Sequence, residues 1–233
     1  MEVVGHSRLP ALAAHVFVAD LDAPVLADDD AHHLARVLRL RAGERFTTGD
    51  GVGRWRLCAM SADAGIETVG PINTVARPAP EITIAFALTK SDKPELTVQK
   101  LTEIGVDRIV PIAAARSIVR WDDAKTARNV ERWRAVARAA AMQSRRAWLP
   151  VVDEVGDLAG LVRSGRPVAL AHPGGAPPTL AMPVIAVGPE GGWTDDELAL
   201  ASTHVDLGAT TLRAETAALA AAVRLTALRD PGI

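Results

Sequence analysis

The chain has 233 residues, a formal net charge of -2, 48% hydrophobic and 23% charged residues, and one cysteine, Cys58. That balance belongs to a soluble globular protein of one domain or two small ones. A lone cysteine excludes a disulfide framework and a cysteine-rich zinc site within the chain. No apolar run reaches the ~18 residues of a membrane span. A basic start leading into an apolar core is also missing, so neither a span nor a signal peptide is expected, and a reducing cytoplasm is the expected location.

The first ~75 residues read mostly as strands. Residues 15–18 are extended. Residues 28–40 are predicted as a short helix with Leu34, Val37 and Leu38 on one face and Arg36 and Arg39 off it. Residues 45–48 and 53–60 flank Gly49-Asp50-Gly51, a hairpin signal. Trp55, Leu57 and Ala59 alternate with Arg54, Arg56 and Cys58, which predicts one buried face and one face displaying guanidinium groups. Residues 66–69 add a strand. A small β-barrel with a basic face fits these elements. His32 and His33 read as surface residues, and with no second ligand cluster no metal site is expected. Trp55 and Trp121 read as core residues, with base stacking as the other reading.

Arg77-Pro78-Ala79-Pro80 is a linker by composition, which divides the chain into residues 1–76 and 77–233. Beyond it strands and helices alternate. An apolar strand covers 81–88. A helix over 94–104 has Pro94 in its first turn and Gly105 past its end. A strand covers 108–112. Asp122 or Asp123 caps a helix reaching about Gln143, with Trp133, Val136, Ala137 and Ala140 on its buried side. Residues 149–152 extend briefly, and Asp157 caps a short helix to Arg163. This alternation predicts a parallel sheet buried on both faces. Residues 128–146 hold six arginines and one acid, Glu131. They read equally well as a phosphate track or as a solvated helix face.

Three strand-to-glycine units follow, at 168–175, 183–192 and 204–208. In the second, Gly188-Pro189-Glu190-Gly191-Gly192 runs into a helix whose Thr194 and Glu197 have capping-box spacing, with Asp195 and Asp196 in the first turn. Glycines at strand ends let a backbone approach a ligand closely. The dinucleotide and P-loop fingerprints are absent. Glu190 would repel a pyrophosphate, so a cationic or zwitterionic ligand fits better. A long helix to about Arg229, stopped by Pro231 and Gly232, completes the chain.

These segments resemble the SPOUT methyltransferases, which have a deep trefoil knot at the carboxyl end, and more narrowly the RsmE family, which methylates N3 of a uridine in 16S ribosomal RNA. Gly188 to Gly192 match the family's Gly-Pro-Glu-Gly-Gly loop. Leu207, Gly208, Leu212, Arg213, Glu215, Thr216 and Ala217 match its second C-terminal motif. Leu88-Thr89-Lys90-Ser91-Asp92-Lys93 and Gln143-Ser144-Arg145-Arg146 match two further segments. Where the family usually has arginine and isoleucine, this chain has Thr210 and Thr211. The resemblance implies an α/β fold. A SPOUT trefoil-knot domain with a mostly parallel sheet follows a PUA-like RNA-binding β-barrel domain. It also implies S-adenosyl-L-methionine as cofactor, 16S ribosomal RNA of the small subunit as substrate, and a homodimer.

The expected cofactor site comprises Leu170, His172, Val187, Gly188, Pro189, Glu190, Gly191, Gly192, Leu207, Gly208, Leu212, Thr216 and Ala217. Uridine N3 becomes a good nucleophile only on losing its proton, which places negative charge on the flanking carbonyls, where an arginine stabilises it. Arg213 and Arg145 or Arg146 are the candidates for that role. Glu190 or Glu215 is the candidate proton acceptor, with Glu215 alternatively pairing Arg213 to fix the loop. Because N3 lies on the Watson–Crick edge, the base must be unpaired or extruded. Arg36, Arg39, Arg54, Arg56, Lys90, Arg120, Arg145 and Arg146 are expected to hold the RNA backbone. Two other readings stay open: methylation of a different RNA, and RNA binding without catalysis.

Overall fold

The computed structural model describes residues 9–63, 65–90, 93–119 and 121–231. The chain divides into two compact units. One contains the residues up to Pro78 together with Ala141–Leu149, and the other contains Ala79–Ala140 and Pro150 onward. The segment 141–149 joins the first unit through backbone pairing. Gly53 N donates to Ala147 O at 3.0 Å, Leu149 N donates to Gly51 O at 2.9 Å, and Val52 bridges Trp148. Gly53 is required there: its φ is +95°, and an added Cβ would lie 2.5 Å from the Trp148 ring.

The first unit holds a four-stranded sheet in the order β1 (His15–Phe17), β2 (Arg45–Gly49), β3 (Arg54–Met60), β4 (Ile66–Thr74). β1 runs parallel to β2, and the other two pairs are antiparallel. Val16, Leu34, Phe46, Cys58 and Met60 form its core. Two expectations need correction here. The expected exposure of the face carrying Arg54, Arg56 and Cys58 does not hold, because β3 pairs with β2 in unbroken register and sets Cys58 opposite the buried Phe46. Cys58 and Met60 therefore join the core with Phe46 rather than facing solvent with the arginines, and the irregularity lies in β4, which runs from Ile72 to Thr68 while β3 runs from Arg56 to Cys58. The predicted helix is α1 (Asp28–His32) followed by a π-helical turn, His33–Val37. Leu38 N donates to His33 O, five residues back. The wider turn rotates the following side chains. Leu34 stays buried while Val37 and Leu38 are 60% and 42% exposed.

The second unit holds a six-stranded sheet in which every pair is parallel. Its strands are β5 (Thr83–Ala87), β6 (Arg108–Ile112), β7 (Val151–Val152), β8 (Val168–Ala176), β9 (Val184–Val187) and β10 (Thr203–Val205), in the spatial order β10-β8-β9-β5-β6-β7. Its helices are α2 (Lys93–Ile104), α3 (Asp123–Gln143, whose last three residues belong to the first unit), α4 (Leu158–Arg163), α5 (Asp195–Ala199) and α6 (Ala214–Arg229). Successive strand residues point to opposite faces. Ile84, Phe86, Ile185 and Val187 therefore pack with Val98, Leu101, Trp133, Ala218 and Leu225. Ala85, Ala87, Ala186 and Leu170 pack with Leu158 and Trp193 on the other side. Burial on both faces explains the near-continuous apolar strands.

The expected caps are present. Asp122 accepts from Lys125 N at 2.7 Å, Asp157 accepts from Gly160 N at 2.6 Å, and Thr194 and Glu197 form a capping box. Among the described residues no helix is long and apolar enough to cross a membrane.

Candidate functional site

In a parallel sheet all carboxyl ends lie on one edge, and the spatial order places β10, β8 and β9 side by side. The turns that follow β9 and β10 therefore meet an irregular stretch inside β8, which runs on to Ala176 through the expected glycine turn and slips its register against β10 between Leu170 and Ala176. Together with the first turn of α6 they enclose a cavity of about 360 Å³, within the size range of small-molecule sites. Of the residues expected to bind a cofactor, His172, Val187, Gly188, Pro189, Glu190, Gly192, Leu207, Gly208, Leu212 and Ala217 line it.

Three expected residues do not. Leu170 is fully buried in the sheet core, because its side chain faces away from the cavity while the next residue, Ala171, faces it. Thr216 is exposed on α6. Gly191 lies against Arg116, whose Cβ would be 3.4 Å from an added Cβ. The remaining glycines divide by role. Gly188 makes room for Trp193, whose ring an added Cβ would meet at 3.0 Å. Gly192 (φ +69°) and Gly208 (φ +150°) have backbone geometry that disfavours other residues, and nothing lies within 4 Å of where a Cβ would sit.

The loop Gly188–Trp193 is held from below. Arg116 donates to Gly191 O at 3.0 Å and to Trp193 O at 2.9 Å. The buried Glu197 accepts from Thr194 N at 2.9 Å and from Ala115 N at 2.8 Å. Trp193 Nε1 donates to Ala171 O at 3.1 Å. On the far wall Asp206 accepts from Gly174 N at 2.8 Å and from Gly208 N at 2.9 Å. These backbone hydrogen bonds, from Gly208 and then Gly174, hold its carboxyl below the usual range. One side chain thus ties the irregular stretch of β8 to the turn after β10.

Arg116, Trp193, Asp206, Thr210 and Thr211 line the cavity without having been singled out for it. Asp206 was findable, since an aspartate two residues before a glycine signals an Asx turn. Arg116 carried no signal, because it lies 75 residues from the carbonyl it binds. Thr210 and Thr211, the departures from the usual family residues, sit on the cavity wall.

The expected ionisable groups take different places. Arg213 is the exposed N-cap residue of α6 and does not line the cavity. Glu215 pairs with Lys93 at 3.4 Å rather than with Arg213. Lys93 Nζ also donates to Glu190 at 2.9 Å. The Glu190 hydrogen bond, and behind it that of Glu215, raise the Lys93 pKa. Lys90 is exposed beside Glu190 and Arg116, at a small recess of about 20 Å³.

Arg145 belongs to the first unit. It ends α3 with φ +54°, its N–H bonding Met142 O and that of Arg146 bonding Ala141 O. This is a Schellman motif with arginine where glycine is usual. Its guanidinium donates to Leu12 O, and Arg146 is half-buried.

Arg54 pairs with Asp50 at 2.6 Å. Arg56 donates to Gly70 O at 2.6 Å and Leu21 O at 3.0 Å, which ties it to its own sheet instead of presenting it outward. Arg36 and Arg39 are exposed, and Arg39 has φ +56°. Arg120 lies outside the described residues. Among the described residues no cluster suits a metal ion.

Residues 77–226 match the model of the RNA methyltransferase domain, and residues 26–65 match that of the RNA methyltransferase PUA domain. The chain is 37% identical over 224 residues to the ribosomal RNA small subunit methyltransferase E of Mycobacterium bovis, covering 84% of this chain and 83% of that protein. It is 30% identical to the protein of the same name from Bacillus subtilis, covering 83% and 86%. A crystal structure of the Neisseria gonorrhoeae ribosomal RNA small subunit methyltransferase E bound to S-adenosyl methionine superposes with a TM-score of 0.80 at 28% identity, covering 92% of this chain and 97% of that one. With an N-terminal PUA-like domain and a C-terminal parallel α/β domain whose cavity sits at the strand ends, this chain belongs to the ribosomal RNA small subunit methyltransferase E (RsmE) family of RNA methyltransferases.

Proposed function

We propose that the protein binds S-adenosyl-L-methionine in the cavity at the ends of β8, β9 and β10 and methylates N3 of a uridine in 16S ribosomal RNA, acting as a homodimer. The observation that carries this reading is the cavity itself, with apolar walls from Val187, Leu207, Leu212 and Ala217 and glycine backbone at Gly192 and Gly208. Apolar walls suit the faces of an adenine, and peptide groups at strand ends suit its edge. The acids Glu190 and Asp206, which both line the cavity, suit the positive charges of a sulfonium and an ammonium, and they disfavour a dinucleotide phosphate. The bound cofactor supplies a methyl group on a cationic sulfur, activated for displacement by a nucleophile.

The chain's own residues must then position the base and manage its proton. Glu190, half exposed on the cavity wall, is the carboxylate placed to accept the N3 proton. Arg213, exposed at the entrance to α6, is the cation assigned to the charge that develops on the uridine carbonyls. Arg36, Arg39 and Lys90, all exposed, are assigned to the RNA backbone, with Arg146 beside them in the proposal.

The test is to incubate the protein with labelled cofactor and separated small and large ribosomal subunits, then map the modified base. Label at a uridine N3 of the small subunit is expected. Label on another RNA would replace the substrate assignment. Absence of cofactor binding by calorimetry at near-millimolar concentration would favour RNA binding without catalysis.

A further inference from the structure

In the segment Leu88–Lys93, which matches a family motif, Lys90 is assigned to the RNA backbone and Lys93 has a different place. Lys93 opens α2, and its position is fixed from within that helix. Thr97 Oγ1 donates to Lys93 O at 2.8 Å, while Val98 and Leu101 are fully buried in the same core cluster as Ala218, Ala221 and Leu225 of α6. This packing sets the start of α2 beside the start of α6. There the Lys93 ammonium reaches Glu190 Oε1 at 2.9 Å, 97 residues away on the glycine turn, and Glu215 Oε1 at 3.4 Å on α6.

Glu190 lines the cavity and Glu215 does not. The Glu215 side chain is 17% exposed, and its Oε2 is buried with no hydrogen-bond donor among the described residues. Two carboxylates brought to one point repel each other. Lys93 sits within 3.4 Å of both, so its charge is what allows the turn to lie against α6.

We infer that Lys93 is a positioning residue of this enzyme: it holds the Glu190 carboxylate of the glycine turn against Glu215 of α6, and so sets the shape of the cofactor cavity without touching the cofactor. The inference rests on the cofactor assignment made above. A surface ion pair with no such duty would leave ligand affinity unmoved, which gives the two accounts different consequences.

The test is a double-mutant cycle on Lys93 and Glu190, read by calorimetric titration of S-adenosyl-L-methionine into the full chain. Lys93→Met is expected to weaken binding by about fivefold, the scale of a partly exposed ion pair. In kinetics on small ribosomal subunits, KM for the cofactor rises while kcat changes less. Lys93→Arg, which keeps the charge, restores most of the affinity.

In a Glu190→Gln background Lys93→Met has no further effect, because the carboxylate it holds is gone. Effects of the two substitutions that simply multiply would overturn the inference, as would unchanged affinity in Lys93→Met. If Lys93→Met fails to fold, Lys93→Gln and Glu215→Gln decide by the same titration, since neither side chain lines the cavity. Unchanged affinity there counts against the bridge equally. No binding by the unmodified protein would remove the cofactor assignment itself, whereas binding with multiplying effects removes only the role of Lys93.

Discussion

The far end of α6 carries the ion pair whose loss has the largest calculable effect. Arg229 and Asp107 are 5% and 6% exposed. The guanidinium pairs with the Asp107 carboxylate, reaches Asp230 at 3.2 Å and donates to Gly105 O at 3.1 Å and Pro80 O at 3.3 Å. Asp107 in turn accepts from Ile82 N at 2.9 Å, where the chain enters β5. One arginine thus ties the end of α6 to the start of the central strand and to the α2–β6 turn. Arg229→Met keeps the apolar stem and removes the charge, leaving a buried carboxylate facing uncompensated carbonyls. Breaking a buried pair in this way costs about 3–5 kcal/mol.

Urea unfolding followed by far-ultraviolet circular dichroism reads that loss directly. Adding Asp107→Leu to Arg229→Met is expected to recover part of it, because the stranded charge is removed. Cofactor affinity of the folded variant stays near that of the unmodified protein, since Ala214 and Ala217 at the opposite end of α6 line the cavity. A loss below about 1 kcal/mol, the scale of a surface pair, would show that this network does not anchor the helix.

Three further outcomes are expected. Burial lowers the pKa of His15 from 6.5 to about 4, the Arg145 charge adding to it against backbone hydrogen bonds with Arg146 and Thr47. The neutral ring therefore stabilises the fold fully above pH 6.5, and about 3 kcal/mol of that is lost as pH falls through 4. Urea titrations of the unmodified protein and His15→Asn across that window measure the difference, and parallel pH dependences would discount the histidine. Gly208→Val puts a side chain into the cavity at a strained φ and should weaken cofactor binding at least tenfold, whereas Gly191→Val acts by displacing Arg116 and should weaken it less; the reverse order in calorimetry would reassign the turn. Arg36→Ala with Arg39→Ala should lower RNA affinity and reduce the salt slope by about 2, and an unchanged slope would remove both from the RNA track.

The sequence was legible wherever a local rule decides the structure. The caps at Asp122, Asp157 and Thr194, the glycine past α2, and the apolar strands buried on both faces all follow from neighbours within a few residues. The three glycine segments were legible as a single site because a parallel sheet places them at one edge, although the first is an irregular stretch within β8 and not a turn after it. The misreadings share a different cause. The face of β3 that carries Arg54 and Arg56 closes over the core at Cys58, and one wider turn after α1 changes which side chains face inward; periodicity along the chain registers neither. The segment around Leu170 points at the cavity, but alternation along a strand gives that wall to Ala171 and turns Leu170 into the core.

Composition, periodicity and turn chemistry by themselves determined two domains, a parallel α/β arrangement and a glycine-built pocket, because each is a short-range consequence of backbone sterics and hydrophobic spacing. Only the tertiary structure decided that Arg116 supports the loop, that Glu215 answers to Lys93 instead of Arg213, and that residues 141–149 belong with the first unit. Those contacts join positions tens of residues apart. Their partners are chosen by how helices pack on the sheet, a choice that leaves no mark in the sequence near either residue.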